Sequence, residues 1–148
     1  MKLLHKLSIS TIFIITFGFC TTINVPADYS TIQEGIDAAS DGDTVLVAAG
    51  TYVENIIINN NIFLLGQNPE MTIIDGACGE ELNCSVIQSS FSGVSYMNIE
   101  GFTIKGANTF SSNGLSYTGA IGDCGTDCEF IDSLRLNKMI FTDNIGTD

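Results

Sequence analysis

The sequence predicts an all-β chain of short parallel strands stacked as a solenoid, with one helix lying on its N-terminal end. Three observations carry that prediction. The runs TVLVAAG, ENIIINN, NIFLLGQN, MTIIDG and SVIQSS are β-branched and bounded by Gly, Asn, Asp or Pro. Several hold three or four apolar residues in a row, as strands buried in a parallel arrangement do. The gaps between them are two to six residues, too short for helical crossovers, so each turn of chain is expected to supply about three strands and to stack on the last.

The first element is a leader. MKLLHK carries Lys2 and Lys6, and LSISTIFIITFGFC follows without a charge. A basic segment ahead of an apolar run too short to span a bilayer reads as a signal peptide over residues 1–20, with Gly18 and Cys20 suiting cleavage after Cys20. A lipid anchor on Cys20 is the rival reading, and Phe19 directly before it stands against that. Residues 21–148 then form one exported domain, with no later segment apolar enough to cross a membrane.

Loss of the leader removes Lys2, Lys6 and the only histidine, His5. What remains is Lys105, Arg135 and Lys138 against 17 acidic residues, a net charge of 3 − 17 = −14. Such a field excludes nucleic acid and anionic lipid as partners. It also opposes a polyanionic polysaccharide unless Ca²⁺ bridges the two. Solubility in an extracellular or salty medium is its plain consequence.

Helical periodicity occurs once, in YSTIQEGIDAASDGD. Ser30 is expected to cap the helix while Gln33 reaches back, and Ile32, Ile36 and Ala39 fall on one face. Gly42 suits a left-handed terminator. A single apolar stripe implies that the helix lies on something.

A loose repeat follows the helix. IFLLGQN (62–68), GFTIKGAN (101–108) and KMIFTDN (138–144) each end on an asparagine, Asn68, Asn108 and Asn144. Asparagine tolerates left-handed backbone and bonds its own chain in tight turns. The segment NTFSSNGLSYTG (108–119) shows no apolar periodicity and reads as a surface excursion.

Between the repeats sit the cysteines, Cys78 and Cys84 in CGEELNC and Cys124 and Cys128 in CGTDC. An even count in an exported chain favours disulfides. Four cysteines allow three pairings, and closeness in sequence favours 78–84 and 124–128. A metal site, helped by Glu80, Glu81, Asp123 and Asp127, is the alternative. Asn83 in NCS is a glycosylation sequon if the source is a eukaryote.

The stretch Ile23 to Gly76 resembles the N-terminal part of right-handed parallel β-helix proteins of the pectin lyase-like group. Its D-G-D-x-V, G-T-Y-x-E, I-x-L-x-G and T-x-I-D-G motifs carry the likeness. The resemblance implies a right-handed parallel β-helix over residues 21–148, plugged at its N-terminal end by the helix 30–40. Thr118-Gly119-Ala120-Ile121 and Phe141-Thr142-Asp143-Asn144 further resemble repeats of polymorphic outer-membrane proteins. The chain stops at Asp148 shortly after a coil corner, so the domain is expected to be truncated at its C-terminus.

Catalytic residues are not found. Esterases resembling this group use paired aspartates in Q-D-T, D-F-I-F-G and L-G-R-P-W settings, and polygalacturonase-like members use N-T-D, D-D and G-H-G; none occurs here. A lyase-type base beside Ca²⁺ could only be Lys105, Arg135 or Lys138. A nucleophile with a histidine base is excluded by composition. The carboxylate pairs Asp41/Asp43, Glu80/Glu81 and Asp123/Asp127 could hold Ca²⁺, the one cofactor in view. A turn after the helix is the favoured role of Asp41/Asp43 and a solvated loop tip that of Glu80/Glu81, while Tyr52 and Glu54 read as corner packing and turn bonding.

The expected function is therefore a secreted or surface-displayed module, non-catalytic in this segment, that binds extracellular polysaccharide or cell-surface glycan through a sheet face. The alternative is a polysaccharide-active enzyme, pectin lyase- or pectinesterase-like, whose active site lies in coils beyond Asp148. A structural spacer without a ligand is the third possibility.

Overall fold

The structure, a computed structural model, describes residues 20–77, 85–89, 96–110, 121–122 and 133–147. In chain order the elements are β1 (Thr22–Val25), α1 (Ile32–Ala38), β2 (Thr44–Val47), β3 (Gly50–Val53), β4 (Ile56–Ile58), β5 (Phe63–Gly66), β6 (Thr72–Asp75) and β7 (Ile87–Ser89). There follow β8 (Tyr96–Glu100), β9 (Thr103–Lys105), β10 (Asn108–Phe110), β11 (Ile121–Gly122), β12 (Ser133–Asn137), β13 (Ile140–Thr142) and β14 (Ile145–Thr147).

All recorded strand pairings are parallel. The strands divide into a five-stranded sheet β1-β2-β5-β8-β12, a four-stranded sheet β13-β9-β6-β3, a three-stranded sheet β11-β7-β4 and the pair β10-β14. This corrects the expected fold class. The single helix is present as expected, but the parallel strands lie in separate sheets that are not closed into a solenoid. No ladder runs from one sheet to the next among the described residues. The physical reason lies in the connections, whose backbone groups bond to other turns or to side chains instead of extending a ladder. Ala49 N–H, for example, donates to Gln67 Oε1 (3.1 Å), and Thr21 N–H to Asp43 Oδ1 (2.7 Å). The leader read at residues 1–20 lies outside the described residues except for Cys20, which is exposed.

Alternation decides what each strand buries. Ile23, Val45, Leu64, Ile99 and Leu136 stand opposite one another across the five-stranded sheet. Tyr52, Ile74, Ile104 and Phe141 do the same across the four-stranded sheet, and Ile56 faces Ile87 in the third. Parallel in-register stacking repeats the same face from strand to strand. One apolar cluster results, joining the buried members of these columns to Ile32 and Ile36 of α1, to Ala39 at its C-cap and to Phe102. Each fully buried Ile or Leu in it contributes about 1.5–3 kcal/mol relative to exposure.

The helix begins one residue later than its sequence suggests. Thr31 is the cap and Glu34 the reciprocal partner, in place of Ser30 and Gln33. Thr31 Oγ1 accepts from Glu34 N–H (3.1 Å) while the Glu34 carboxylate accepts from Thr31 N–H (3.2 Å). Ala39, in extended conformation, ends the helix, so Gly42 (φ +90°) serves the following turn and not the terminus. Two segments differ from their reading: Tyr52, read as packing at a corner, lies within the strand β3, and Asn108–Phe110, at the start of the expected excursion, is β10.

The asparagine corners also work differently. Among the described non-glycine residues, left-handed backbone belongs to Ala77, Lys138 and Asp143. Asn68 does bond locally, accepting from Glu70 N–H (2.8 Å). Asn144 instead bridges layers, donating to the Ile104 carbonyl (3.0 Å) and accepting from Ala107 N–H (3.0 Å). Asn55 donates to the Ser85 carbonyl (2.9 Å) in the same manner.

Gly66 and Gly101 meet backbone to backbone where the five-stranded sheet turns away, and a methyl group on either would collide with the other's carbonyl. Gly101 also holds φ +82°, which side chains resist. Gly101→Ala should therefore cost more than the roughly 1–2 kcal/mol of left-handed backbone alone. It should read as a lower urea midpoint at an unchanged slope; a midpoint equal to wild type would show that this corner is not closely packed.

Candidate functional site

The residues with the strongest motif signal are Tyr52 and Glu54, on β3 and directly after it. The Glu54 carboxylate accepts from the backbone N–H of Ile32 and of Gln33, both at 3.0 Å. These are the first two residues of α1, whose N–H groups have no partner within the helix. The negative charge also meets the positive end of the helix dipole. Both oxygens of Glu54 thus bond backbone, and the residue pins the helix to β3. The Tyr52 hydroxyl donates to the Ala48 carbonyl (3.0 Å), its ring packs on the core, and burial, then the Glu54 charge, pushes the phenol up from its ordinary value.

The carboxylates of Asp41, Asp43, Asp75 and Glu100 are similarly occupied. Asp43 accepts from Thr21 N–H (2.7 Å) and Ser40 N–H (2.8 Å). Those bonds hold its carboxyl below the ordinary aspartate value against the opposing effect of burial. Asp41 accepts from the backbone N–H (2.9 Å) and side-chain amide (3.1 Å) of Asn61, which lower it likewise. Asp75 is held low first by its bond to Lys105, whose ammonium lies 2.9 Å away. Lys138 pairs with Glu100 at 3.0 Å. Among the described residues no three His, Cys, Asp or Glu side chains gather where a metal ion could sit. Glu80, Glu81, Asp123 and Asp127 lie outside the described residues, as do Cys78, Cys84, Cys124 and Cys128.

Sequence reasoning passed over the outward face of the five-stranded sheet. Alternation turns Leu64 and Ile99 inward, so Phe63 and Leu65 of β5 and Tyr96, Asn98 and Glu100 of β8 point outward, beside Thr44 and Leu46 of β2. The Phe63 and Tyr96 rings lie 6.0 Å apart between centroids at 53°. Tyr96 is fixed at both ends through Asn61: its N–H donates to Asn61 Oδ1 (3.0 Å) and its hydroxyl to the Asn61 carbonyl (3.1 Å). Asn98, opposite Phe63, has a buried side-chain oxygen with no hydrogen-bond partner. The signal was present in the period-2 pattern of IFLLG and YMNIE, once the core face is assigned.

Chemically this arrangement is a platform. Two half-buried rings and two leucines flank the Asn98 amide on this sheet. Among the described residues no helix is long and apolar enough to cross a membrane. No family model matches the chain. No curated protein and no solved structure matches it either.

Two outcomes follow from the carboxylates. Glu54→Ala should lower stability by about 1–2 kcal/mol, the usual cost of losing a helix cap, and Glu54→Gln by less, in denaturant titrations. Asp41, Asp43 and Asp75 are more acidic folded than unfolded, so their stabilisation is complete above the unfolded aspartate value of about 4 and is lost as pH falls through their lower folded values. The denaturation midpoint should therefore drop on acidification below about pH 4, and Asp43→Asn should flatten that drop.

Proposed function

We propose that the chain is an extracellular, non-catalytic binding module that holds a neutral glycan on the outward face of its five-stranded sheet. The carrying observation is the Phe63–Tyr96 pair, set between Leu46, Leu65 and Asn98. Sugar rings present C–H faces that pack on aromatic rings and hydroxyl edges that seek planar amides. Strands about 4.8 Å apart offer such groups at a regular step along the sheet. The net charge of −14 over residues 21–148 (3 − 17) favours an uncharged polysaccharide over a polyanion. Disulfides 78–84 and 124–128 belong to this reading, as does export by the leader at residues 1–20.

Non-catalysis rests on the carboxylates. Glu54, Asp41 and Asp43 bond backbone groups, and Asp75 is paired with Lys105, so none is poised to move a proton to a substrate. Calorimetric titration with a panel of neutral and acidic oligosaccharides tests the proposal. Saturable binding to a neutral member, without release of cleaved product, is expected. Phe63→Ala and Tyr96→Ala should each weaken it about 2- to 10-fold, the worth of an aromatic contact, with circular dichroism unchanged. Cleavage of the glycan, or binding indifferent to both substitutions, would overturn it.

A further inference from the structure

Asn61 is a buried polar residue where three turns of chain meet. A buried amide must place its donors and its acceptor on neighbours. Its backbone N–H donates to Asp41 Oδ1 (2.9 Å) and its side-chain nitrogen to Asp41 Oδ2 (3.1 Å). On the other side its side-chain oxygen accepts from Tyr96 N–H (3.0 Å), and its carbonyl accepts from the Tyr96 hydroxyl (3.1 Å). Asp41 lies 20 residues before Asn61 and Tyr96 lies 35 after it, so the amide joins segments that the chain keeps far apart.

The direction of that amide follows from the carboxylate. An ionised carboxylate accepts hydrogen bonds and donates none. Toward Asp41 the Asn61 side chain can therefore present only its NH₂ end, which turns its oxygen toward Tyr96. Asp41, exposed in the turn between α1 and β2, thus decides what Tyr96 N–H meets without touching Tyr96. The same turn holds the second ring. Phe63 N–H donates to the Asp43 carbonyl (2.9 Å), and Gly42 N–H donates to the Asn61 carbonyl (2.7 Å). Both rings of the outward face, 6.0 Å apart, are tied in this way to residues 41–43.

We propose that Asp41 is a positioning residue of the binding face: its carboxylate orients the Asn61 amide, and that amide sets the place of the Tyr96 ring. The sugar-binding part of this statement rests on the function proposed above. Exchanging the two side chains tests it. Asn61→Asp sets one carboxylate against another, and Asp41→Asn removes one of the two acceptors that Asn61 uses. Made together, the substitutions restore both bonds, one of them reversed, and still leave an oxygen for Tyr96 N–H. In aromatic NMR spectra, with Tyr96 assigned through Tyr96→Phe, each single substitution should move the Tyr96 ring resonances and leave those of Tyr29 and Tyr52 in place. The double variant should return them to the wild-type position. In calorimetric titration with cellohexaose, a neutral oligosaccharide, each single substitution should weaken binding by up to about tenfold, the most that one aromatic contact supplies. The double variant should regain that affinity, and Asp41→Asn should add nothing in a Tyr96→Ala background. Single variants with an unmoved Tyr96 ring would overturn the proposal, as would a double variant no nearer wild type than the singles in fold or ring position. Where a single variant fails to fold, recovery by the exchange is the deciding result. A wild-type chain that binds no oligosaccharide would remove the glycan reading alone, because the ring resonances still decide whether Asp41 positions Tyr96.

Discussion

The rest of the structure depends on the bond between Glu54 and the start of α1. A strand in a parallel sheet offers backbone groups on both sides, and among the described residues β1, β3 and β4 have a paired strand on one side only. Seven residues of helix are far too few to be stable alone. The helix exists here because its first N–H groups are met by Glu54 and Thr31 and because Ile32, Ile36 and Ala39 are buried. Gly35 lets it approach closely, since a methyl there would lie 3.0 Å from a Val25 side-chain carbon. Asn60 completes the attachment by donating to the Ala39 carbonyl (2.7 Å) at the other end. Helix and sheet therefore stabilise each other, and neither is complete without the contact.

With that end fixed, register propagates. Each strand sits in parallel on the one before it, so whichever residue faces inward on β2 dictates the inward residue on β5 and β8. The connections can vary in length without disturbing this, as the spacing of stacked partners does between Thr44–Phe63 and Phe63–Asn98. Loop closure costs rise only slowly with length. The corners are less tolerant. Gly66 and Gly101 must both lack side chains, whereas Lys138, which follows β12 as Gly101 follows β8, keeps left-handed backbone with a side chain that turns back to Glu100.

Strand positions were legible in the sequence because β-branched runs and turn residues are local signals. TVLV, III, FLLG and TIID are strands where the residues indicate. The helix was legible from its apolar face, but its cap was not, because Ser30-Thr31 and Gln33-Glu34 offer two overlapping capping boxes. Glu54, twenty-one residues from Gln33, bonds that residue's N–H and Ile32's, beside the box that Thr31 and Glu34 close. Sheet closure was not legible either. The motifs that suggested a closed solenoid describe strands and corners, and whether ladders run on from one sheet to the next is decided by the connections. The aromatic platform was hidden for a related reason: Phe63 and Tyr96 are thirty-three residues apart and become neighbours only through the pairing of β5 with β8.

The same alternation that buries Leu64 and Ile99 generates the outward face of the five-stranded sheet. Outward positions are released from the core and are free to carry chemistry, which is why Phe63, Tyr96 and Asn98 can sit on a rigid frame at no cost to packing. Inward positions have no such freedom, and a column that reaches a terminal strand must expose its last member. Leu136 and Phe141 are therefore apolar for the reason Ile99 and Ile104 are, not because the surface there selects it.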